Sequence, residues 1–109
     1  MTAVSPRIEL LWWEGCPSTA AARELLVRVL AEEGLDPAAI ESREVPNEEQ
    51  AEREGFVGSP TIRVDGREVG PEPGEPVALT CRVYHLRDGR ISPTPDPEDV
   101  RAAIREAVA

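Results

Sequence analysis

The hydrophobic positions near the start of the chain predict a buried strand followed by an amphipathic helix. Residues 7–13 pass from alternation into a continuous apolar run, which is typical of a strand covered on both faces. Glu14 and Gly15 break this strand, and Pro17 suits the first turn of a helix, where its missing N–H costs nothing. We therefore expect the helix to begin at Cys16 and to end before Gly34. Its apolar positions have helical spacing and are Ala22, Leu25, Leu26, Val29 and Leu30.

The middle of the chain predicts a second strand, a short helix and a hairpin. Residues 39–45 form a strand whose charged side chains indicate an edge or partly exposed position. Asn47 caps a short helix that stops at Gly55 and mostly faces solvent. Residues 61–69 then form a hairpin, because the sequence Asp65-Gly66 accepts the positive φ angles of a tight turn.

The last third of the chain predicts a loop, an extra strand and a final helix. Residues 70–76 hold three prolines and two glycines, so we expect a loop there. Residues 77–86 alternate loosely, as in one further strand, and Asp88-Gly89 offers a turn after it. Asp96 caps a helix that starts at Pro97. The buried positions of this helix are Val100, Ala103, Ile104, Ala107 and Val108.

The order of these elements predicts an α/β fold. A βαβ unit is followed by a ββα unit, so a central mixed sheet is flanked by helices, with the Pro-rich insertion before the last helix. The 109 residues suit a single domain over residues 1–109. Hydrophobic residues at 40% and charged residues at 30% are ordinary for a globular protein with a small core.

Charge and cysteine usage exclude several kinds of partner. The 12 basic residues are all arginine and nowhere clustered, and the net charge is -9, so we expect no nucleic-acid partner. No run approaches the length of about 18 apolar residues that a membrane helix needs, and the first residues do not resemble a secretory leader. We therefore expect a cytoplasmic protein without a membrane partner. Two cysteines far apart do not form a disulfide framework, so reduced thiols are expected.

Cys16 is the first candidate for chemistry. A right-handed crossover places the start of the first helix at the carboxyl end of the first strand, where ligands bind in open α/β sheets. The helix dipole and the free N–H groups there stabilise a thiolate, which lowers the pKa of a cysteine. Cys16 is therefore a candidate nucleophile, and an inert residue at the helix start is the alternative.

Two segments carry a resemblance to a known family. Residues 13–19, Trp-Glu-Gly-Cys-Pro-Ser-Thr, follow the first strand, and residues 58–62, Gly-Ser-Pro-Thr-Ile, precede the third. Together they resemble the thioredoxin-like superfamily, which implies a cis bond before Pro60 beside the reactive sulfur. Where the family usually has Cys-x-x-Cys, the fourth position here is Thr19, so the chain is similar to monothiol, glutaredoxin-like variants. The resemblance implies that substrate contacts Pro17, Thr19, Ser59, Pro60 and Thr61.

Thr19 cannot resolve a mixed disulfide, although its hydroxyl could hydrogen-bond the Cys16 thiolate. Cys81 has three interpretations: a buried structural residue, a resolving partner of Cys16, or a metal co-ligand. A closed zinc site needs four ligands, and two cysteines and one histidine fall short unless a carboxylate or a second chain contributes. We expect no metal at the site and no cofactor. We expect Arg82 to be a solvated charge and His85 to lie at or near the surface.

The leading hypothesis is a thiol–disulfide redox protein that acts on protein or small-molecule thiols and disulfides. Cys16 attacks a disulfide, and the mixed disulfide is resolved by Cys81 or by an external thiol. A non-enzymatic module that binds a soft metal, a cluster shared between chains or a partner protein is the alternative. A purely structural domain is the third possibility.

Overall fold

A four-stranded mixed sheet forms the centre of the structure, a computed structural model that describes residues 6–70 and 76–108. The strands are β1 (Ile8–Trp12), β2 (Ile40–Glu44), β3 (Thr61–Val64) and β4 (Arg67–Glu68). Their order is β2-β1-β3-β4, with β1 parallel to β2 and antiparallel to β3. The predicted central strand and the predicted edge strand are both confirmed. The architecture within the described residues is therefore mixed α/β.

Two helices cover one face of this sheet. They are α1 (Thr19–Glu32) and α3 (Pro97–Val108), and they pack on Ile8 and Leu10 of β1. The predicted apolar stripe of α1 is confirmed, because all five of its residues are buried. The stripe of α3 is confirmed at Val100 and Ile104, but Val108 is 42% exposed. The prediction for Val108 was wrong because it is the last residue of α3, at the end of the packed helix.

The opposite face of the sheet is covered by the short helix α2 (Glu48–Glu54) and the chain around it. Leu11 points to this side and packs with Ala51 and Phe56. Asn47 caps α2 by accepting a hydrogen bond from the Gln50 N–H at 2.9 Å, as predicted. The side chains of β1 thus alternate between two apolar clusters, which explains why this strand reads as a continuous apolar run.

The first helix begins three residues later than predicted. Its first intrahelical bond runs from the Ala22 N–H to the Ser18 carbonyl, so Cys16 and Pro17 lie in the turns before α1. A residue that precedes proline is disfavoured in the helical region, which keeps Cys16 out of the helix. The prediction of a helix start at Cys16 was therefore wrong, and the cysteine lies in the connection between β1 and α1.

The segment after residue 76 contains less strand than predicted. Only β5 (Tyr84–His85) and β6 (Ile91–Ser92) form there, as a separate hairpin whose turn includes Gly89. Cys81 instead makes an isolated parallel bridge to Ser59. Pairing stops there because Pro60 has no N–H to donate to a longer ladder. The Pro-rich loop predicted at residues 70–76 lies largely outside the described residues.

The helices of residues 6–70 and 76–108 are all too short or too polar to cross a bilayer.

Candidate functional site

Cys16 lies just past the carboxyl end of β1, in a turn closed by its own backbone. Its N–H donates to the Trp13 carbonyl at 3.0 Å. The residue is 5% exposed, and its sulfur lies 3.3 Å from the carbonyl oxygen of Ser59. The site therefore forms where the end of β1 meets the start of β3.

Ser59 joins these two strands. Its hydroxyl accepts a hydrogen bond from the Trp13 N–H at 3.0 Å, and the residue is fully buried. The bond between Ser59 and Pro60 is cis, and the Thr61 hydroxyl donates to the Gly58 carbonyl at 2.7 Å. The register of the sheet explains the proximity, because Leu11 near the end of β1 pairs with Thr61 at the start of β3.

The pKa of the Cys16 thiol is lower than its ordinary value. Burial raises this pKa, but hydrogen bonds to the sulfur from the Ser18 backbone, the Ser59 hydroxyl, the Cys81 thiol and the Ser18 hydroxyl together outweigh burial. The direction is the one expected from the sequence. The cause differs from the expected one. The sequence predicted that a helix beginning at Cys16 would stabilise the thiolate, whereas Ser18, Ser59 and Cys81 lower the pKa in the structure.

Cys81 is brought to Cys16 by backbone pairing. The Ser59 N–H donates to the Thr80 carbonyl at 2.8 Å, and the Arg82 N–H donates to the Ser59 carbonyl at 2.8 Å. Both cysteines are reduced, and Cys81 is exposed, so its interpretation as a buried structural residue was wrong. The hydrogen bond with Cys16 raises the pKa of the Cys81 thiol, with burial and the negative charge of Cys16 adding to the effect.

Residues 80–84, the strap, are anchored by a buried arginine. Arg82 is 4% exposed and donates through Nη1 to the Glu68 carboxylate at 2.5 Å and to the Thr61 hydroxyl at 3.4 Å. Its guanidinium also lies 4.6 Å from the centroid of the Tyr84 ring. The expectation of a solvated charge at Arg82 was wrong, because Glu68 and the aromatic ring replace water around it.

Tyr84 fixes the other end of the strap. Its hydroxyl donates to the Pro60 carbonyl at 2.5 Å, and burial raises the pKa of Tyr84 far above its ordinary value. His85, the next residue, is exposed, as expected. Sequence reasoning did not identify Tyr84 or Glu68. The available signal was alternation, since positions 82 and 84 point inward while positions 83 and 85 point outward.

The two remaining predicted site residues stand beside Cys16 without binding its sulfur. Pro17 is exposed, and Thr19 is the first residue of α1. The Thr19 hydroxyl is buried and has no hydrogen-bond partner among the described residues, so the expected bond to the thiolate does not form. Ser18 lowers the pKa of Cys16 instead, through its backbone N–H and its hydroxyl, and it lies directly before the late start of α1.

The titratable side chains of residues 6–70 and 76–108 include no group of three or more His, Cys, Asp or Glu placed to hold a metal ion.

No protein-family model matches the chain, and no similar protein was found among curated proteins or solved structures. What the site can do therefore follows from its own residues. They provide a buried thiol with a lowered pKa, a second, exposed thiol, and a backbone bridge from Ser59 to Cys81 that brings the second thiol to the site.

Proposed function

We propose that this protein is a thioredoxin-like thiol–disulfide exchange protein, with Cys16 as the nucleophile and Cys81 as the resolving thiol. The observation that carries the proposal is the backbone bridge between Ser59 and Cys81, because it brings the second cysteine to the residue whose carbonyl oxygen lies 3.3 Å from the Cys16 sulfur. The order of the described elements, β1-α1-β2 followed by β3-β4 and later α3, supports the thioredoxin-like arrangement. The contact of 3.3 Å between the Cys16 sulfur and the Ser59 carbonyl, directly before Pro60, supports it further.

The first step uses the ionised Cys16 sulfur. The thiolate attacks one sulfur of an external disulfide, a bond forms between the Cys16 sulfur and that sulfur, and the other half leaves as a thiolate that takes a proton from water. The lowered pKa of Cys16 favours this step, because the thiolate is the reactive form of a cysteine. The product is a mixed disulfide on Cys16.

The second step uses Cys81. In the reduced protein, the Cys16 sulfur raises the pKa of Cys81 through its hydrogen bond and its charge. A mixed disulfide on Cys16 carries no such charge, so the Cys81 thiol then ionises more readily. Its thiolate attacks the Cys16 sulfur, forms the Cys16–Cys81 disulfide and expels the substrate half as a thiolate, which takes up a proton from water. Two equivalents of an external thiol return the protein to the reduced state.

The test uses reduced protein, a small symmetrical disulfide and mass spectrometry after acid quenching. Wild-type protein should lose two hydrogens through an internal disulfide, and the Cys81→Ser variant should stop at a stable adduct on Cys16. Cys16→Ser should react at least about tenfold more slowly, because the ionised sulfur is missing. Cys16→Ser protein that reacts at the wild-type rate would refute the proposal. Protein that shows no exchange but takes up a stoichiometric soft metal would favour the binding module instead.

A further inference from the structure

The backbone edge beside Cys16 is occupied by the protein's own chain. Ser59 uses its N–H to bind the Thr80 carbonyl and its carbonyl to bind the Arg82 N–H, both at 2.8 Å. The same carbonyl lies 3.3 Å from the Cys16 sulfur, and the next residue, Pro60, has no N–H. The groups that an extended peptide would need for pairing beside the sulfur are therefore already bonded.

The strap that makes these bonds is anchored on both sides of the bridge. The Arg82 side chain is buried against Glu68 and Tyr84, and the Tyr84 hydroxyl is bonded to the Pro60 carbonyl. Removing one partner of a buried ion pair leaves the other charge uncompensated, so Arg82 resists displacement. The strap also packs closely on the Gly58 backbone, because a Cβ built on Gly58 would lie 3.0 Å from the Arg82 Cβ.

Access to the Cys16 sulfur is narrow as well. Cys16 is only 5% exposed, whereas Cys81 in the strap is exposed. A disulfide with small substituents can approach such a sulfur without pairing to the backbone. A disulfide within an extended polypeptide brings chain on both sides of each cysteine, and that chain would occupy the space of the strap.

We propose that the strap restricts exchange at Cys16 to small disulfides and thiols and excludes extended polypeptides. This inference rests on the proposed function and names its substrate class. The bridge between Ser59 and Cys81 thereby has two consequences: it places the resolving thiol beside Cys16, and it closes the strand edge that a peptide substrate would use.

The test compares two disulfides with the same reacting group. One is the symmetrical disulfide of a capped single cysteine, and the other is that of an uncharged 13-residue peptide with a central cysteine. Adduct formation on Cys16 is measured in the Cys81→Ser variant, where no second step follows. Each rate is divided by the rate at which the same disulfide reacts with a free capped cysteine. The peptide should be disfavoured by about tenfold or more, which is about 1.4 kcal/mol in the barrier. Equal normalised rates would overturn the inference and leave the proposed function intact, whereas no adduct from either disulfide would refute the proposed function.

Release of the strap provides the second arm. Arg82→Ala, in the same Cys81→Ser background, should raise the normalised peptide rate about fivefold while the small disulfide changes less than about twofold, because only the peptide needs the edge. Arg67→Ala is the matched control, since Arg67 is 84% exposed and lies outside the site. Circular dichroism and amide exchange at Ser59 report whether the variant is folded and the strap released. A folded variant with a released strap that still excludes the peptide would overturn the inference. If Arg82→Ala does not fold, the comparison of the two disulfides in the Cys81→Ser variant with Arg82 unchanged decides.

Discussion

The residues around the Cys16 sulfur lower its pKa although the side chain is buried. A buried charge is costly unless hydrogen bonds replace its hydration, and Ser18, Ser59 and Cys81 supply them. Because the folded pKa lies below the unfolded one, ionised Cys16 stabilises the fold at pH above its unfolded pKa. That contribution is lost as the pH falls through the folded pKa. Cys81 has the opposite sign, since its raised pKa favours the folded state below the ordinary pKa and loses this effect as the pH rises.

Ser59→Ala should raise the pKa of Cys16, because the variant loses one hydrogen bond to the thiolate. The measurement is the pH dependence of Cys16 alkylation, followed by mass spectrometry of the Cys16 peptide. The wild-type midpoint should lie below that of the unfolded chain, and the variant midpoint should lie above the wild-type one. Ser42→Ala is the control, because the Ser42 hydroxyl accepts from the Trp12 indole at 3.0 Å and is not bonded to Cys16. An unchanged midpoint in Ser59→Ala would contradict this account of the thiolate.

Individual site residues differed in how far the sequence could reveal them. Cys16 and Ser59 stand in short motifs between predicted elements, so local pattern was sufficient. Arg82 gave no such signal, because its burial depends on Glu68, fourteen positions away, and on the ring of Tyr84. A charged side chain reads as solvated from sequence alone, and only the fold shows the partners that replace water.

The strap is the element that separates this site from a site with one thiol. Its close contact with Gly58 is possible because glycine has no Cβ and adopts φ +146. A Cβ there would lie 3.0 Å from the Arg82 Cβ and 3.2 Å from the Arg82 backbone. The position of Cys81 therefore depends on a glycine in a different part of the chain.

Gly58→Ala should move the strap away from Cys16. We expect a loss of about 1–3 kcal/mol of folding free energy from crowding and slower formation of the Cys16–Cys81 disulfide. Gly66→Ala is the matched control, because Gly66 also has a positive φ (+82) but has open space around it. It should lose stability from backbone conformation alone and form the disulfide at the wild-type rate. Equal disulfide rates in the two variants would show that the Gly58 contact does not position the strap.

The start of α3 contributes to the acid limit of the fold. The Asp96 carboxylate accepts hydrogen bonds from the Arg87 and Glu98 N–H groups, each at 2.9 Å, and these bonds lower the pKa of Asp96 in that order. Its contribution is present above its unfolded pKa of about 3.9 and is lost as the pH falls through the lower folded value. Asp96→Asn should therefore lose less stability than wild type between neutral pH and about pH 2 in urea titrations. Parallel acid profiles for the two proteins would contradict this.

The elements themselves were largely predictable, and their boundaries less so. The spacing of apolar residues predicted the central strand and the stripe of α1. The dipeptide Asp65-Gly66 predicted the turn, where both residues have positive φ. The start of α1 was missed because the restriction on Cys16 comes from the following proline, which competes with the preference of proline for a helix start. The extra strand predicted at residues 77–86 forms only in part, because Pro60 limits the pairing between Ser59 and Cys81 to one residue.

At the scale of the whole molecule, topology brings distant sulfurs together. The antiparallel start of β3 lies beside the end of β1, and the strap pairs with Ser59 at that position. The α/β order was predictable from the sequence of strands and helices. The return of the strap to Ser59 was not, because no periodicity encodes where a chain goes after a Pro-rich loop.

Closing the Cys16–Cys81 disulfide should stabilise the whole fold. Between the two cysteines lie 64 residues, and cross-linking a loop of that size removes unfolded-state entropy worth roughly 4 kcal/mol. Urea unfolding of oxidised and reduced protein should show a difference of this order. Oxidised protein that is no more stable than reduced protein would show that the disulfide strains the native state.

The most direct measurement is the location of the disulfide itself. Dilute reduced protein is treated with one equivalent of a small disulfide, remaining thiols are alkylated, and the peptides are mapped without reduction. We predict a monomer that has lost two hydrogens, with Cys16 linked to Cys81 and neither sulfur alkylated. Covalent dimers joined through Cys81, with Cys16 alkylated in full, would contradict the account.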